Sequence, residues 1–178
     1  MGGYGKTFSP VAAYNLILSA YTTFMKKLWL INFLKCGITG WCLEILFTAA
    51  ESIMLHDWRL VGKTSLLMFP IYGLAAFLPW ISGMVDRWLD KDFWMPGDIH
   101  GADLILRHGI LYMVLIFMGE YFFGLILRRL GICPWDYTGR PTNVRGLIRL
   151  DFAPLWFCAG LIFERITKNY RKSEPMIL

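Results

Sequence analysis

The sequence predicts an all-α, polytopic membrane protein: a bundle of about four spanning helices, preceded by an N-terminal helix lying in the membrane interface. Three observations carry that prediction. The chain is 56% hydrophobic and 16% aromatic over 178 residues, far too apolar for a soluble domain of that size. Residues 64–85 contain no charge. At about 1.5 Å per residue, a helix of that length crosses a hydrocarbon core of about 30 Å. Finally, two apolar segments each hold a glutamate near the middle, Glu44 within 28–50 and Glu120 within 109–127. A carboxylate at bilayer depth costs about 2.5–3.5 kcal/mol on insertion scales, so a chain keeps one where something compensates it.

Taken in order, residues 7–25 are uncharged but rich in Ser, Thr, Tyr and Asn, and Lys26-Lys27 closes them. That composition suits an interfacial helix better than a further span. The spans are expected at 28–50, 64–85, 105–130 and 152–167. Residues 1–27 thus form a tail and interfacial helix, 28–167 the embedded bundle, and 168–178 a basic tail. Between the second and third spans, residues 86–104 are acidic and aromatic, and Pro96, Gly97 and Gly101 break them into a loop. Its tryptophans suit the headgroup level. Asp151, just ahead of Phe152-Ala-Pro154, suits an N-cap on the fourth span with proline in its first turn. Glu164 and Arg165 are expected at the solvated end of that span. The N-terminus fits neither a secretory signal nor a myristoylation site, since position 6 is Lys.

Charge bounds the partners. The net charge of +5, from 18 Lys and Arg against 13 Asp and Glu, fits attraction to anionic membrane lipids. The basic residues fall between apolar segments and make no continuous stripe, so no nucleic-acid partner is expected. With four spans, one side holds nine basic residues: Lys6, Lys26, Lys27, Arg87, Lys91, Arg165, Lys168, Arg171 and Lys172. The other holds seven: Arg59, Lys63, Arg128, Arg129, Arg140, Arg145 and Arg149. That balance favours both termini in the cytoplasm, and a cell-membrane location is expected. The arginines of 128–149 are expected to fold back and pair with protein acids. The four cysteines form no C-x-x-C pair and read as packing thiols. Three dispersed histidines make no metal site, and no cofactor is expected.

The chemistry-bearing residues cluster in three places. On a helical first span Gly37, Gly40, Glu44, Thr48 and Glu51 fall within about 40° of one line. Two glycines below a carboxylate let a neighbouring helix approach closely. The third span sets Met113, Ile116, Glu120, Gly124 and Leu127 on a similar stripe. Either the two acids line a proton, ion or headgroup site, or they hold the bundle together by pairing with Arg107 or His108. Pro70 and Pro79 kink the second span, and the freed backbone groups could open a cavity beside Tyr72 and Gly73. The densest polar and aromatic loop runs from Cys133-Pro-Trp135-Asp136-Tyr137-Thr138 to Arg140 and Arg145. There Asp136 can cap or meet an arginine. Gly5-Lys6-Thr7 and Gly62-Lys63-Thr64 imitate the tail of a phosphate-binding loop. The first would begin before Met1, and the second has Asp57 where the leading glycine belongs, so no nucleotide loop is expected.

These blocks resemble the family of CmpB-type ABC-transporter permeases, which small vertebrate transmembrane proteins share. The first half carries Glu44-Ile-Leu-Phe-Thr-Ala49 and 62–73. The second carries Glu120, Gly124, Arg128, Cys133-Pro-Trp-Asp-Tyr137, 146–153, Trp156-Phe157 and 160–164. The resemblance covers about residues 30–166, with Thr138 standing where the family pattern has Ser. It implies a permease working with an ATPase on another chain. Four spans are few for a permease half, so a homodimer or a further subunit is expected. The substrate-binding residues expected are Glu44, Tyr72, Glu120, Arg128, Trp135, Asp136 and Tyr137; no catalytic residue is assigned. Two alternatives use the same residues: an intramembrane lipid-modifying enzyme, and an accessory protein that stabilises a partner.

Overall fold

The computed structural model describes residues 10–54, 56–91 and 101–168. The protein is an all-helical bundle with one short hairpin. Helix α1 (Pro10–Met54) is followed by a kinked segment made of α2 (Met68–Gly73), a 3-10 turn (Leu74–Phe77) and α3 (Leu78–Lys91). Helix α4 (Gly101–Arg129) and helix α5 (Ala153–Lys168) flank a loop that holds the two-residue strands β1 (Asn143–Val144) and β2 (Ile148–Arg149). The strands pair antiparallel, Val144 opposite Ile148. Among the described residues, three segments can cross a membrane by length and composition: Tyr14–Ile53, Met68–Leu89 and Gly101–Arg129. Helix α5, with 16 residues, is about 24 Å long and packs along α4.

Three elements differ in detail from the sequence expectation. No break separates an interfacial helix from the first span, because α1 runs unbroken for 45 residues. Nothing at Lys26-Lys27 interrupts the hydrogen-bond ladder, since Lys is a good helix former and neither Gly nor Pro intervenes. The second span starts at Met68, and residues 64–67 belong to the preceding turn. Of the expected loop 86–104, the described part is helical: α3 continues to Lys91 and α4 opens at Gly101. Asp86 and Arg107 pair at 2.7 Å and hold those two ends together. Residues 92–100, with Trp94 and Pro96, lie outside the described residues, as do 1–9 and the basic tail after Lys168.

Small residues set the close contacts. A Cβ on Gly37 would meet the Phe69 ring at 2.7 Å, and one on Gly40 would overlap Tyr72. Both aromatics belong to α2, so the glycine face of α1 seats that short helix. On the other side Gly109 receives Phe157, and Gly160 receives Tyr112. Cys36, Leu78, Tyr112, Ala159 and Phe163 form the buried centre. Ile110, Val114, Met118 and Phe122 of α4, spaced by four, are exposed in the isolated chain. They present an apolar stripe suited to acyl chains, on the face of α4 opposite Glu120.

One end of the bundle is closed by charge. His108 is 3% exposed, with Nδ1 at 2.7 Å from Glu164 Oε1 and Nε2 at 3.0 Å from Asp86 Oδ2. The Tyr112 hydroxyl lies 2.7 Å from the same Glu164 oxygen and 2.8 Å from Ser82 Oγ. Glu164 is therefore not at a solvated helix end; it is buried between α4 and α5. Arg107 and His108 serve Asp86 and Glu164, and neither pairs with Glu44 or Glu120.

Candidate functional site

The opposite end, where α1 and α4 finish and α2 and α5 begin, encloses a cavity of about 440 Å³. Gly40, Glu44, Thr48 and Glu51 of α1 supply one wall, as their common helical line dictates. The turn before α2 is stitched to that wall. Thr48 Oγ1 accepts the Lys63 amide at 2.7 Å, and the Trp41 indole donates to the Ser65 carbonyl at 3.0 Å. Gly62 makes this possible, since a Cβ there would meet the Ile45 carbonyl oxygen at 2.5 Å. The stitched turn sets the Thr64 hydroxyl 2.7 Å from Glu44 Oε2, and the Tyr72 hydroxyl faces the same carboxylate.

The far wall comes from α4, α5 and the loop between them. Trp156 of α5 donates its indole N–H to Glu120 Oε2 at 3.0 Å. Leu147, fully buried, covers Gly124, and the Trp135 indole donates to the Leu147 carbonyl at 3.0 Å. The Tyr137 amide donates to the Gly146 carbonyl at 2.9 Å. Gly146 has φ +67, and a Cβ there would press on Thr138 and Asp136, so glycine is required on two counts. Asp136 Oδ1 accepts the Thr138 hydroxyl at 2.6 Å and its amide at 3.0 Å. Those two donors, and more weakly Arg128, hold its carboxyl below the usual aspartate range.

Charge of the other sign gathers at the loop end. Arg149 meets Glu51 at 2.9 Å and Asp151 at 2.6 Å, and its guanidinium lies 4.0 Å from the Phe152 ring centre. Arg140 stands 3.7 Å from Glu51 and is half exposed. Of the arginines of 128–149, Arg128, Arg140 and Arg149 pair with protein acids, while Arg145 donates to the Tyr121 hydroxyl. Asp151 is occupied by Arg149 and by the Thr142 hydroxyl, not by the expected capping role. Those contacts push its carboxyl down to about 2. The tight Arg149 contact takes the carboxylate away from the helix amides, while Pro154 keeps its place in the first turn of α5.

Of the seven residues singled out from sequence, Glu44, Tyr72, Glu120, Trp135, Asp136 and Tyr137 line the cavity. Arg128 does not. It leaves the end of α4 to donate to the Arg145 carbonyl at 2.6 Å and the Gly146 carbonyl at 3.1 Å, clamping the loop from behind. Thr64, Phe152, Trp156 and Arg149 also line the cavity and were not singled out. Glu51 does so as well, and its place on the Gly40–Glu44–Thr48 line was the available signal. For Trp156 the signal was weak, since an aromatic within an apolar span reads first as packing. Among the described residues no ion pair reaches Glu44 or Glu120, and no group of three His, Cys, Asp or Glu is placed to hold a metal.

The family model described as "Putative ABC-transporter type IV" matches residues 31–176. The chain belongs to this family. Every cavity residue falls within the matched part, whereas the first twenty or so residues of α1 precede it. No solved structure matches the chain. Family membership and the three apolar helices together make this a membrane protein of transport type.

Proposed function

We propose that this protein is the permease-like membrane component of a transport system, with the cavity between α1, α4 and α5 as its cargo site. One observation carries the reading: Glu44 and Glu120, from different helices, share a single cavity and, among the described residues, are met there by neutral donors only. Carboxylates at that depth without a basic partner are poor structural braces and suitable ligands for a passing cation or headgroup. The seven residues expected to bind the cargo divide accordingly. Glu44, Glu120, Tyr72, Trp135, Asp136 and Tyr137 would contact it, and Arg128 would hold the loop. Energy would come from an ATPase subunit, a partner that membership of the ABC-transporter family supports. So few spans make a small permease half, which favours a homodimer or a further subunit. The cell membrane is the proposed location, and the charge balance favours both termini in the cytoplasm.

The test is affinity purification of the full chain from native membranes, followed by reconstitution of whatever copurifies. An ATPase subunit should appear, and the pair should hydrolyse ATP in proteoliposomes of native lipid. Glu120→Gln should lower that activity at least tenfold while still copurifying the partner. A purified chain that chemically alters a phospholipid unaided would instead establish the lipid-modifying enzyme. A variant that only lowers the abundance of a partner would establish the accessory role.

A further inference from the structure

The cavity is polar in a directional way. Its interior holds two carboxylates, Glu44 and Glu120, bonded by a threonine hydroxyl and an indole. About one to two helical turns along α1, from Thr48 to Glu51, the lining carries Lys63, Arg140 and Arg149 beside two acids: Glu51, which meets the arginines, and Asp136, which Arg128 and Thr138 engage. Arg149 is fully engaged by Glu51 and Asp151, but Arg140 makes only a long 3.7 Å contact to Glu51, and no side-chain ion pair of Lys63 occurs among the described residues. The step from Glu44 to Glu51 is seven residues, about 10 Å along the axis. Aromatic rings share the lining: Tyr72 reaches Glu44 and Trp156 reaches Glu120, while Phe152 lies against Arg149 and meets Tyr137 and Trp156 edge to face.

A single cation would satisfy the interior and leave the rim unused; a single anion would satisfy the rim and be repelled by the interior. A molecule carrying both charges satisfies both. An ammonium or quaternary ammonium is attracted to carboxylates and to ring faces alike. A phosphate matches guanidinium and ammonium donors. The distance between the two levels is filled by a carboxylate–ammonium contact, the short spacer of an amine phosphoester, and a phosphate–guanidinium contact.

We propose that the cavity binds a zwitterionic amine phosphoester, its amine held between Glu44 and Glu120 against the aromatic wall and its phosphate at Lys63 and Arg140. That chemistry belongs both to amine-bearing phospholipid headgroups and to the free water-soluble phosphoesters. The inference rests on the cavity being a ligand site, and it is independent of whether an ATPase drives transport.

The full chain in phosphatidylglycerol nanodiscs tests it by calorimetric titration with phosphocholine, choline and glycerol 3-phosphate. Phosphocholine should bind at least tenfold more tightly than either single-charge compound. Glu120→Gln should weaken phosphocholine and choline alike, whereas Lys63→Ala with Arg140→Gln should weaken phosphocholine and spare choline. The wild-type series needs no variant to fold. Nanodiscs containing phosphatidylcholine distinguish the source: competition with added phosphocholine shows a lipid headgroup occupant, and its absence shows a free phosphoester. Equal binding of glycerol 3-phosphate or of choline would overturn the zwitterion while leaving the cavity a ligand site. If none of the three binds, and none competes with lipid, the zwitterion proposal is overturned, while the transport reading is decided separately by the copurification and ATP-hydrolysis test.

Discussion

The two ends of the bundle treat buried carboxylates in opposite ways. At the closed end Asp86 and Glu164 meet basic side chains: Arg107 stands 2.7 Å from Asp86, and each ring nitrogen of His108 faces one of the two acids. At the cavity end Glu44 and Glu120 receive a hydroxyl and an indole and no cation among the described residues. Removing a partner from a desolvated ion pair is costly because the remaining charge has nothing to stabilise it. A carboxylate supported by neutral donors beside open space leaves capacity for something that arrives from outside. The first arrangement fastens helices; the second is suited to recognition.

Substitution should separate the two most sharply at His108. His108→Ala strips both Asp86 and Glu164 of a partner and should destabilise the fold by about 3–5 kcal/mol, read as an early thermal transition in detergent. A midpoint equal to wild type would show that the charged cluster does not brace the bundle. Next comes the glycine seat of the cavity wall. Gly40→Leu drives a side chain into Tyr72 and should cost about 1–3 kcal/mol through overpacking. The control is Gly119→Ala, where nothing lies within 4 Å of the added Cβ; it should be neutral or slightly stabilising, by up to about 1 kcal/mol.

A smaller effect is expected where the comparison predicts tolerance. Glu44→Gln keeps an acceptor for the Thr64 hydroxyl and should change stability by no more than about 1 kcal/mol. A loss as large as that of His108→Ala would erase the distinction between the two ends. The smallest effect concerns pH and the loop. The Asp151 carboxyl is lowered from 3.8 to about 2 by Arg149 and Thr142, so its pairing is fully present above about pH 4. That contribution fades as pH falls through about 2, and limited proteolysis of the 130–152 loop should quicken over the same interval. Asp151→Asn should remove that step.

How much of this was legible beforehand depends on the kind of contact. The line Gly40–Glu44–Thr48–Glu51 could be drawn from helical periodicity alone, and all four residues line the cavity. Glu120 was marked by its cost at bilayer depth. Glu164 was misread because an acid at the end of an apolar helix has a ready solvent explanation. His108 removes that explanation only once α4 crosses α5. Arg128 was expected as a ligand alongside the family-resemblance residues, yet its guanidinium faces the backbone of the loop. The continuous α1 shows the limit of composition: serine and threonine content marked an interfacial segment, but nothing in residues 10–54 breaks the helical ladder.

Hydropathy and periodicity determined from the sequence that the chain is membrane-embedded, all-helical, and burdened with two mid-helix acids, since these depend on nearest neighbours along a helix. Which acid meets which partner depends on how helices far apart in sequence cross. Glycine contacts at 37, 40, 109 and 160, and the Thr48 stitch to Lys63, set that crossing. Tertiary packing alone therefore divided the carboxylates into a paired set and a set facing open space.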